Sequence, residues 1–327
     1  MITMSEIARL TGVSHPTVSR VLNGNTSVNP EVAKKVLDCA KAHNYQPNIM
    51  ARSLRGNQTY LLAVMVPDLA NPFFADLIRI IESEAGNSGY SILIFNTDGN
   101  PEKEQKYLAF LQQYHVDGLL LAPIHASEEG IRPFRSLTIP WIIFTNRAEG
   151  VDSVYISHRK AGGMAADHLV AAGAKKYVFI GKRNDQKFVG FEEELTASGV
   201  NTRNNLTFFW EKDRQKTMEL LLEFAKETSK KLGIFALNDM EAIIAINTLM
   251  GAGIPVPERV AVVGFDNTCL SRRALSGITS VSQPVNEMGS LAVKRLLKRI
   301  KGEETGPASY VELKAELVLR GSTLQTP

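Results

Sequence analysis

GVSHPTVSRVLNG, residues 12–24, reads as two turn signals around one short helix. Gly12 supplies the positive φ that stops a preceding helix, and Ser14 can cap the next one. Pro16 fits a first helical turn because its missing N–H would be unpaired there anyway. Thr17, Val18, Ser19, Arg20 and Leu22 carry the helix on, and Asn23-Gly24 ends it. Upstream, Thr3 and Glu6 have capping-box spacing, and Ile7, Leu10 and Val13 form the apolar stripe of a first helix. Downstream, Asn29-Pro30 opens a third helix, in which Val32, Val36, Leu37 and Ala40 line one face before His43-Asn44.

Ala8, Gly12 and Val18 are spaced so that the first two helices approach, turn and share one core plug. This is helix-turn-helix spacing, in which the second helix enters a DNA major groove. His15, Thr17, Ser19 and Arg20 would then face base edges or phosphates, with Arg20 suited to either a guanine or a phosphate. Charge agrees. Residues 1–60 hold seven Lys/Arg (Arg9, Arg20, Lys34, Lys35, Lys41, Arg52, Arg55) against three acids (Glu6, Glu31, Asp38), a balance of +4. The whole chain carries 37 basic and 34 acidic side chains, so the remainder is at −1. A basic module on a near-neutral body suits a polyanion-binding head.

The strings GVSHPTVSRVLNG and YQPNIMARSLRG resemble the DNA-binding head of the LacI/GalR family of bacterial repressors. The resemblance implies DNA contacts at Thr3, Ser14, His15, Pro16, Thr17, Ser19, Arg20 and Asn23. It also implies a hinge over Pro47–Arg55, with contacts at Asn48, Ala51, Arg52, Leu54 and Arg55, that becomes helical on operator DNA and wedges Leu54 between base pairs. So short a segment does not hold a helix alone, since nucleation is costly below ~12 residues. Pro16 offers no side-chain donor, which limits it to apolar contact such as a thymine methyl.

At 327 residues the chain is long enough for two or three domains, and 44% hydrophobic with 22% charged residues is ordinary for a soluble folded protein. No apolar run approaches the ~18 residues of a membrane span, and no export signal precedes the first helix. Cys39 and Cys269 are too few for a disulfide framework, which makes the cytoplasm the expected compartment. From Tyr60 onward, apolar runs (Leu61–Val66, Ile92–Phe95, Leu119–Ala122, Trp141–Phe144, Val154–Ile156, Val178–Ile180, Ile234–Leu237, Val260–Val263) alternate with helical stretches (Phe74–Ala85, Lys103–Tyr114, Lys160–Ala171, Thr217–Ala225, Met240–Met250). Alternation of this kind gives parallel sheets covered on both faces, and more than eight units give two such layers. The six histidines form no metal-ligand pair, and neither a GxSxG elbow nor a phosphate loop is present, so catalysis is not expected. Gly162-Gly163 is read as close helix packing.

Asn71-Pro72-Phe73-Phe74, Asn96-Thr97-Asp98, Asp117-Gly118, Gly190-Phe191, Asn238-Asp239, Gly264-Phe265-Asp266 and Gln283-Pro284 resemble, in order and spacing, the periplasmic-binding-protein-like effector domain of the same family. Several follow strands, where open α/β sheets bind ligands. The resemblance implies effector contacts at Asn71, Phe73, Phe74, Asp98, Asn146, Lys187, Trp210, Asn238, Asp239, Asp266 and Gln283. Phe73 and Phe74 would stack on a ring opposite Trp210, and Asp266 would accept ligand hydroxyl or amine donors. Three departures stand out: Lys187 replaces a usual arginine, Asn146 a frequent aspartate, and Ser157-His158 an Asp-Asn pair. Together they make the pocket less acidic than the family's average and point toward an anionic effector.

The expected fold class is α/β: a small all-α helix-turn-helix domain followed by a two-lobed periplasmic-binding-protein-like body with parallel sheets. The head spans 1–46, the hinge and linker 47–59, and the effector body 60–327. Within the body, lobe 1 covers about 60–157 and 285–305, and lobe 2 about 158–284 and 306–327. The expected function is transcription regulation, as a repressor that binds near-palindromic double-stranded operator DNA as a homodimer. A sugar, sugar phosphate or nucleoside effector controls it, and no cofactor, metal or membrane is involved. The rival reading is a sugar-binding sensor without DNA regulation.

Overall fold

The computed structural model describes residues 2–22, 27–45, 58–210, 213–274 and 277–323. Internal contacts divide the chain into two units, between Thr59 and Tyr60. In the first unit, helices α1 (Met4–Thr11), α2 (His15–Leu22) and α3 (Pro30–Ala42) surround a core of Ile7, Val18, Val21, Val36 and Ala40. The capping box forms: Glu6 N donates to Thr3 Oγ1 at 3.2 Å and Thr3 N donates to Glu6 Oε2 at 2.8 Å. Gly12 ends α1 at φ 65°, and Asn29 caps α3 by accepting from Glu31 N. Two residues expected in this core are outside it: Leu10 is 49% and Leu37 51% exposed. Ile7 with Thr11, and Val36 with Ala40, set narrow stripes at spacing four. Leu37 lies ~100° around the helix from Val36, out of reach of so small a core.

The body begins with β1 (Leu61–Val66), α4 (Pro72–Asn87), β2 (Ser91–Asn96), α5 (Pro101–Gln113), β3 (Gly118–Leu121), α6 (Glu128–Ile131), β4 (Trp141–Thr145) and β5 (Ser153–Ile156). It continues through α7 (His158–Ala171), β6 (Lys176–Ile180), α8 (Gln186–Ala197), α9 (Thr202–Asn205), β7 (Leu206–Phe209), α10 (Arg214–Glu227), β8 (Leu232–Ala236), α11 (Asp239–Gly251), β9 (Val260–Asp266), α12 (Cys269–Arg273) and β10 (Thr279–Ser282). It closes with α13 (Val285–Ile300), β11 (Tyr310–Leu313) and β12 (Glu316–Val318). One sheet has the order β11-β5-β4-β3-β1-β2 and the other β12-β10-β9-β8-β6-β7. Every pairing is parallel except β10 with β12. Parallel strands buried on both faces explain the unbroken apolar runs, such as β9, whose seven residues are all buried.

The chain crosses between the two sheets three times, after β5, β10 and β11. The last crossing corrects the expected lobe boundary. The sequence pattern places about 306–327 in lobe 2, but Tyr310–Leu313 pairs with Ser153–Ile156 in the first sheet, so the return follows Leu313. Strand β10 lies outside the apolar runs because it is built of small polar residues. Thr279 and Ser280 are fully buried yet satisfied, since Ser280 Oγ donates to Asp239 and Thr279 N to Ser322 Oγ.

Helices α7 and α8 cross at two glycines. A Cβ on Gly162 would lie 2.1 Å from Lys187 O, and one on Gly190 1.8 Å from Arg159 O. Gly163 meets only the Glu194 side chain, at 3.6 Å, so the close packing belongs to Gly162 alone of the pair. Gly190→Ala is expected to lower the body's stability by about 2–3 kcal/mol in urea denaturation, because a backbone carbonyl cannot yield to the added methyl. Gly163→Ala should leave it unchanged or slightly higher.

Candidate functional site

On the head, Val18 and Val21 hold α2 against the core. Pro16 and Arg20 are consequently exposed, and His15, Thr17 and Ser19 half-buried, on the sides of the helix away from that core. Ser14 sits in the turn, where its carbonyl accepts from Thr17 N and Val18 N and its hydroxyl lies 2.9 Å from that of Thr17. Thr3 is exposed and engaged with Glu6. The expected contacts at Asn23, Asn48, Ala51, Arg52, Leu54 and Arg55 lie outside the described residues.

In the body, parallel order sends the carboxyl ends of the strands to one edge of each sheet, and a buried carboxylate joins the two lobes there. Asp266, at the end of β9, is 7% exposed and adopts φ +95°. Asn71 Nδ2, from the first lobe, donates to its Oδ2 at 3.1 Å, and Gln283 Nε2, from the crossover after β10, donates to its Oδ1 at 2.7 Å. Asn71 also caps α4, because its Oδ1 accepts from Phe73 N. Burial pushes the Asp266 carboxyl above its ordinary pKa, against the pull of Lys187 and the two amides. The Lys187 ammonium donates to Leu237 O at 3.0 Å and sits 4.1 Å from the centre of the Phe265 ring. His158, the first residue of α7, packs edge-on against that ring at 5.6 Å. Burial, and then the Lys187 charge, hold its imidazole down to about 3 despite Asp185, so it is neutral at physiological pH.

Thr145, at the end of β4, has φ +78°, a strained conformation for a β-branched residue, and accepts from Asn146 Nδ2 at 3.1 Å. Phe73 is buried and meets Phe74 edge-on at 5.1 Å. A cavity of about 460 Å³ opens beside this cluster, with Phe73, Asp266, Ser282 and Gln283 on its wall. A second, of about 470 Å³, lies at the amino ends of β4 and β5, where Asp152 receives two N–H groups of Arg299. It is at the opposite edge of the strands from the position where such sheets bind ligands.

Four expected effector residues are not gathered into this cluster. Asp98 is on an exposed turn at φ +52°, where Asn96 and Lys103 donate to its carboxylate and hold it below its usual pKa. Trp210 follows edge strand β7, is 37% exposed and makes no ring contact with Phe73 or Phe74 among the described residues. Asn238 is engaged as the cap of α11, accepting from Glu241 N at 3.0 Å. Asp239 is 1% exposed and turned into its own lobe, accepting from Thr268 N, Thr268 Oγ1 and Ser280 Oγ. Sequence reasoning did not single out Thr145 or the Phe265 ring as parts of the cluster. The available signal was position, since both stand at the carboxyl end of an apolar run. Among the described residues, no group of His, Cys, Asp and Glu could hold a metal ion, and no helix is long and apolar enough to cross a membrane.

Burial raises the Asp239 carboxyl from 3.8 to about 6, with the Asp266 charge adding to the rise and the hydroxyl and backbone donors opposing it. The folded state therefore holds this proton more tightly than the unfolded chain. Its contribution is fully present below about pH 4 and is lost as pH rises to about 6, a change on the order of 3 kcal/mol. Asp239→Asn keeps the shape without the titration. Urea midpoints measured from pH 4 to 7 should fall less steeply for this variant than for the parent.

Comparison with known proteins covers both units. The model for bacterial regulatory proteins of the lacI family matches residues 3–48, and that for a periplasmic binding protein-like domain matches residues 166–323. The chain is 32% identical over 329 residues to the HTH-type transcriptional regulator RegA of Clostridium saccharobutylicum, covering 98% of this chain and 99% of that one. A transcriptional regulator CelR–cellobiose complex superposes with a TM-score of 0.69 at 26% identity, over 98% of this chain and 100% of that one. The lac repressor dimer bound to operator and the anti-inducer ONPF shares the fold, with a TM-score of 0.85 at 24% identity over 99% of each chain. With both units matched and relatives aligned end to end, the chain belongs to the lacI family of bacterial regulatory proteins and is a DNA-binding transcriptional regulator.

Proposed function

We propose that the protein is an effector-controlled repressor that binds a near-palindromic operator as a homodimer in the cytoplasm. The observation that carries this reading is the seating of α2: its apolar side is used up by the core, which leaves His15, Pro16, Thr17, Ser19 and Arg20 to meet DNA. Thr3 and Ser14 would contact the backbone at the helix ends, and Asn23 would add a further contact. Asn48, Ala51, Arg52, Leu54 and Arg55 would act from the hinge, where a wedge at Leu54 costs a few kcal/mol of unstacking, roughly, and bends DNA toward more phosphate contacts. The lac repressor dimer on its operator is the precedent for the paired arrangement.

In the body, Asn71, Phe73, Phe74, Asn146, Lys187, Asp266 and Gln283 form the effector site, supported by the Asn71–Asp266–Gln283 bonds across the lobes. Asp98, Trp210 and Asn238 would meet the effector only from outside this cluster, and Asp239 holds the segment after Asp266 through Thr268. The cellobiose complex of a relative supports a small polar effector. A shift in lobe geometry on binding would be coupled to the hinges by ~1–3 kcal/mol, the usual scale of allosteric coupling.

Fluorescence anisotropy on palindromic DNA from the gene's own upstream region, repeated as salt is varied, tests this. Operator affinity should fall steeply with salt, with a log–log slope of about −0.9 per phosphate neutralised. Arg20→Ala should weaken operator binding. A slope smaller by about one would assign Arg20 to a phosphate, and relaxed preference at one base pair would assign it to a guanine. Salt-independent binding, or none, would overturn the reading.

A further inference from the structure

Seven non-glycine residues among those described have a positive φ, and five of them are Asn, Asp or His, the types that tolerate it. The other two are Thr145, already described at the end of β4, and Tyr60 at φ +57°. A bulky side chain stays in the left-handed region only where its surroundings over-determine it, and such strain gathers at functional positions. Tyr60 is the first residue of the body, where the chain coming from the DNA-binding head joins β1.

It is held from both sides. Tyr60 N donates to Asp117 Oδ2 at 2.8 Å, and Asp117 N donates in return to Leu61 O at 2.8 Å. Across the strand, Ser91 N donates to Tyr60 O at 2.9 Å. The Tyr60 ring lies 5.4 Å from that of Tyr90, which is buried. Asp117 immediately precedes β3 and Ser91 opens β2, the two strands that flank β1 in the first sheet. The Tyr60 backbone therefore cannot turn without breaking a bond to one of these neighbours.

The sheet does not require such a start. Strand β1, buried from Leu62 to Val66, is secured by its pairing with β2 and β3, and glycine would take the same φ without strain. Asp117 is half-buried, so water can reach the carboxylate and burial does not impose its bond to Tyr60. What the arrangement adds is direction, because it fixes how the chain leaves the body toward residues 47–59. In a dimer, two fixed starting points leave few half-site spacings that both heads can reach, whereas loose ones would reach several.

Building on the operator reading above, we propose that Asp117 and Tyr60 are positioning residues for DNA recognition. The Asp117 carboxylate holds the Tyr60 backbone as a pivot that sets where, and in which direction, each linker begins. Fluorescence anisotropy of the full-length chain on palindromic DNA from its own upstream region, with the half-sites moved together or apart by one base pair, tests this. The parent should bind one spacing at least about tenfold more tightly than its neighbours. Fixing the backbone of one residue is worth about tenfold in affinity, so Asp117→Ala should weaken the preferred spacing by about that factor and shrink the preference below about threefold. Its binding to DNA without a palindrome should stay as in the parent. Asp117→Asn keeps an acceptor oxygen in place and should restore both affinity and preference. A purely structural role would lower the urea midpoint and leave the spacing preference of the folded protein unchanged. Tyr60→Gly adopts the same φ without being confined to it, and should lose the preference even where Asp117→Ala fails to fold. A preference that survives either substitution in folded protein overturns the pivot, as does equal loss on palindromic and other DNA, or no rescue by Asp117→Asn. A parent that binds the palindrome without a spacing preference overturns the pivot alone, and a parent that binds no palindrome overturns the operator reading with it.

Discussion

A carboxylate taken out of water needs donors, and the body is arranged around where Asp266 finds them. One comes from the helix cap of the opposite lobe, Asn71, and the other from the crossover residue Gln283. Without these two amides the end of β9 would bury an uncompensated charge, a costly state for any fold. With them, a single side chain of the second lobe is bound both to the first lobe and to a crossover strand. Any molecule that competes for these donors changes a contact between lobes, and that is the physical basis on which a ligand could alter the relation of one lobe to the other.

Several less conspicuous features hold that carboxylate in place. The α7–α8 crossing at Gly162 and Gly190 brings the first turns of both helices together, so that His158 and Lys187 reach the same Phe265 ring. Asp239 anchors the segment just beyond Asp266 by accepting from Thr268 and steadies β10 through Ser280. Its own proton affinity is raised by burial and by the neighbouring Asp266 charge. Two acids so close in an interior are not interchangeable. One is satisfied wholly within its lobe, the other across the gap.

The head rests on different physics. Its core has only a handful of buried apolar side chains, so capping and turn residues matter in proportion. Thr3 with Glu6, Gly12, Ser14 and Asn29 are local devices, each acting within three or four residues, which is why they could be read from sequence. Leu10 and Leu37 could not be placed that way, because period alone does not tell how wide a stripe a small core can cover.

The amino-acid order by itself determined the helix caps, the apolar parallel strands, the two-layered body and the motif positions at strand ends, because each depends on short-range patterning. Only the tertiary structure decided that Asp266 faces across the lobes while Asp239 faces inward, since both follow an apolar strand and look alike in one dimension. It also decided that Tyr310–Leu313 joins the first sheet, that Asp98 and Trp210 stand outside the cluster, and that polar β10 is buried. For the two carboxylates, partners 29 to 195 residues away make the choice, and no local pattern carries the position of a distant donor.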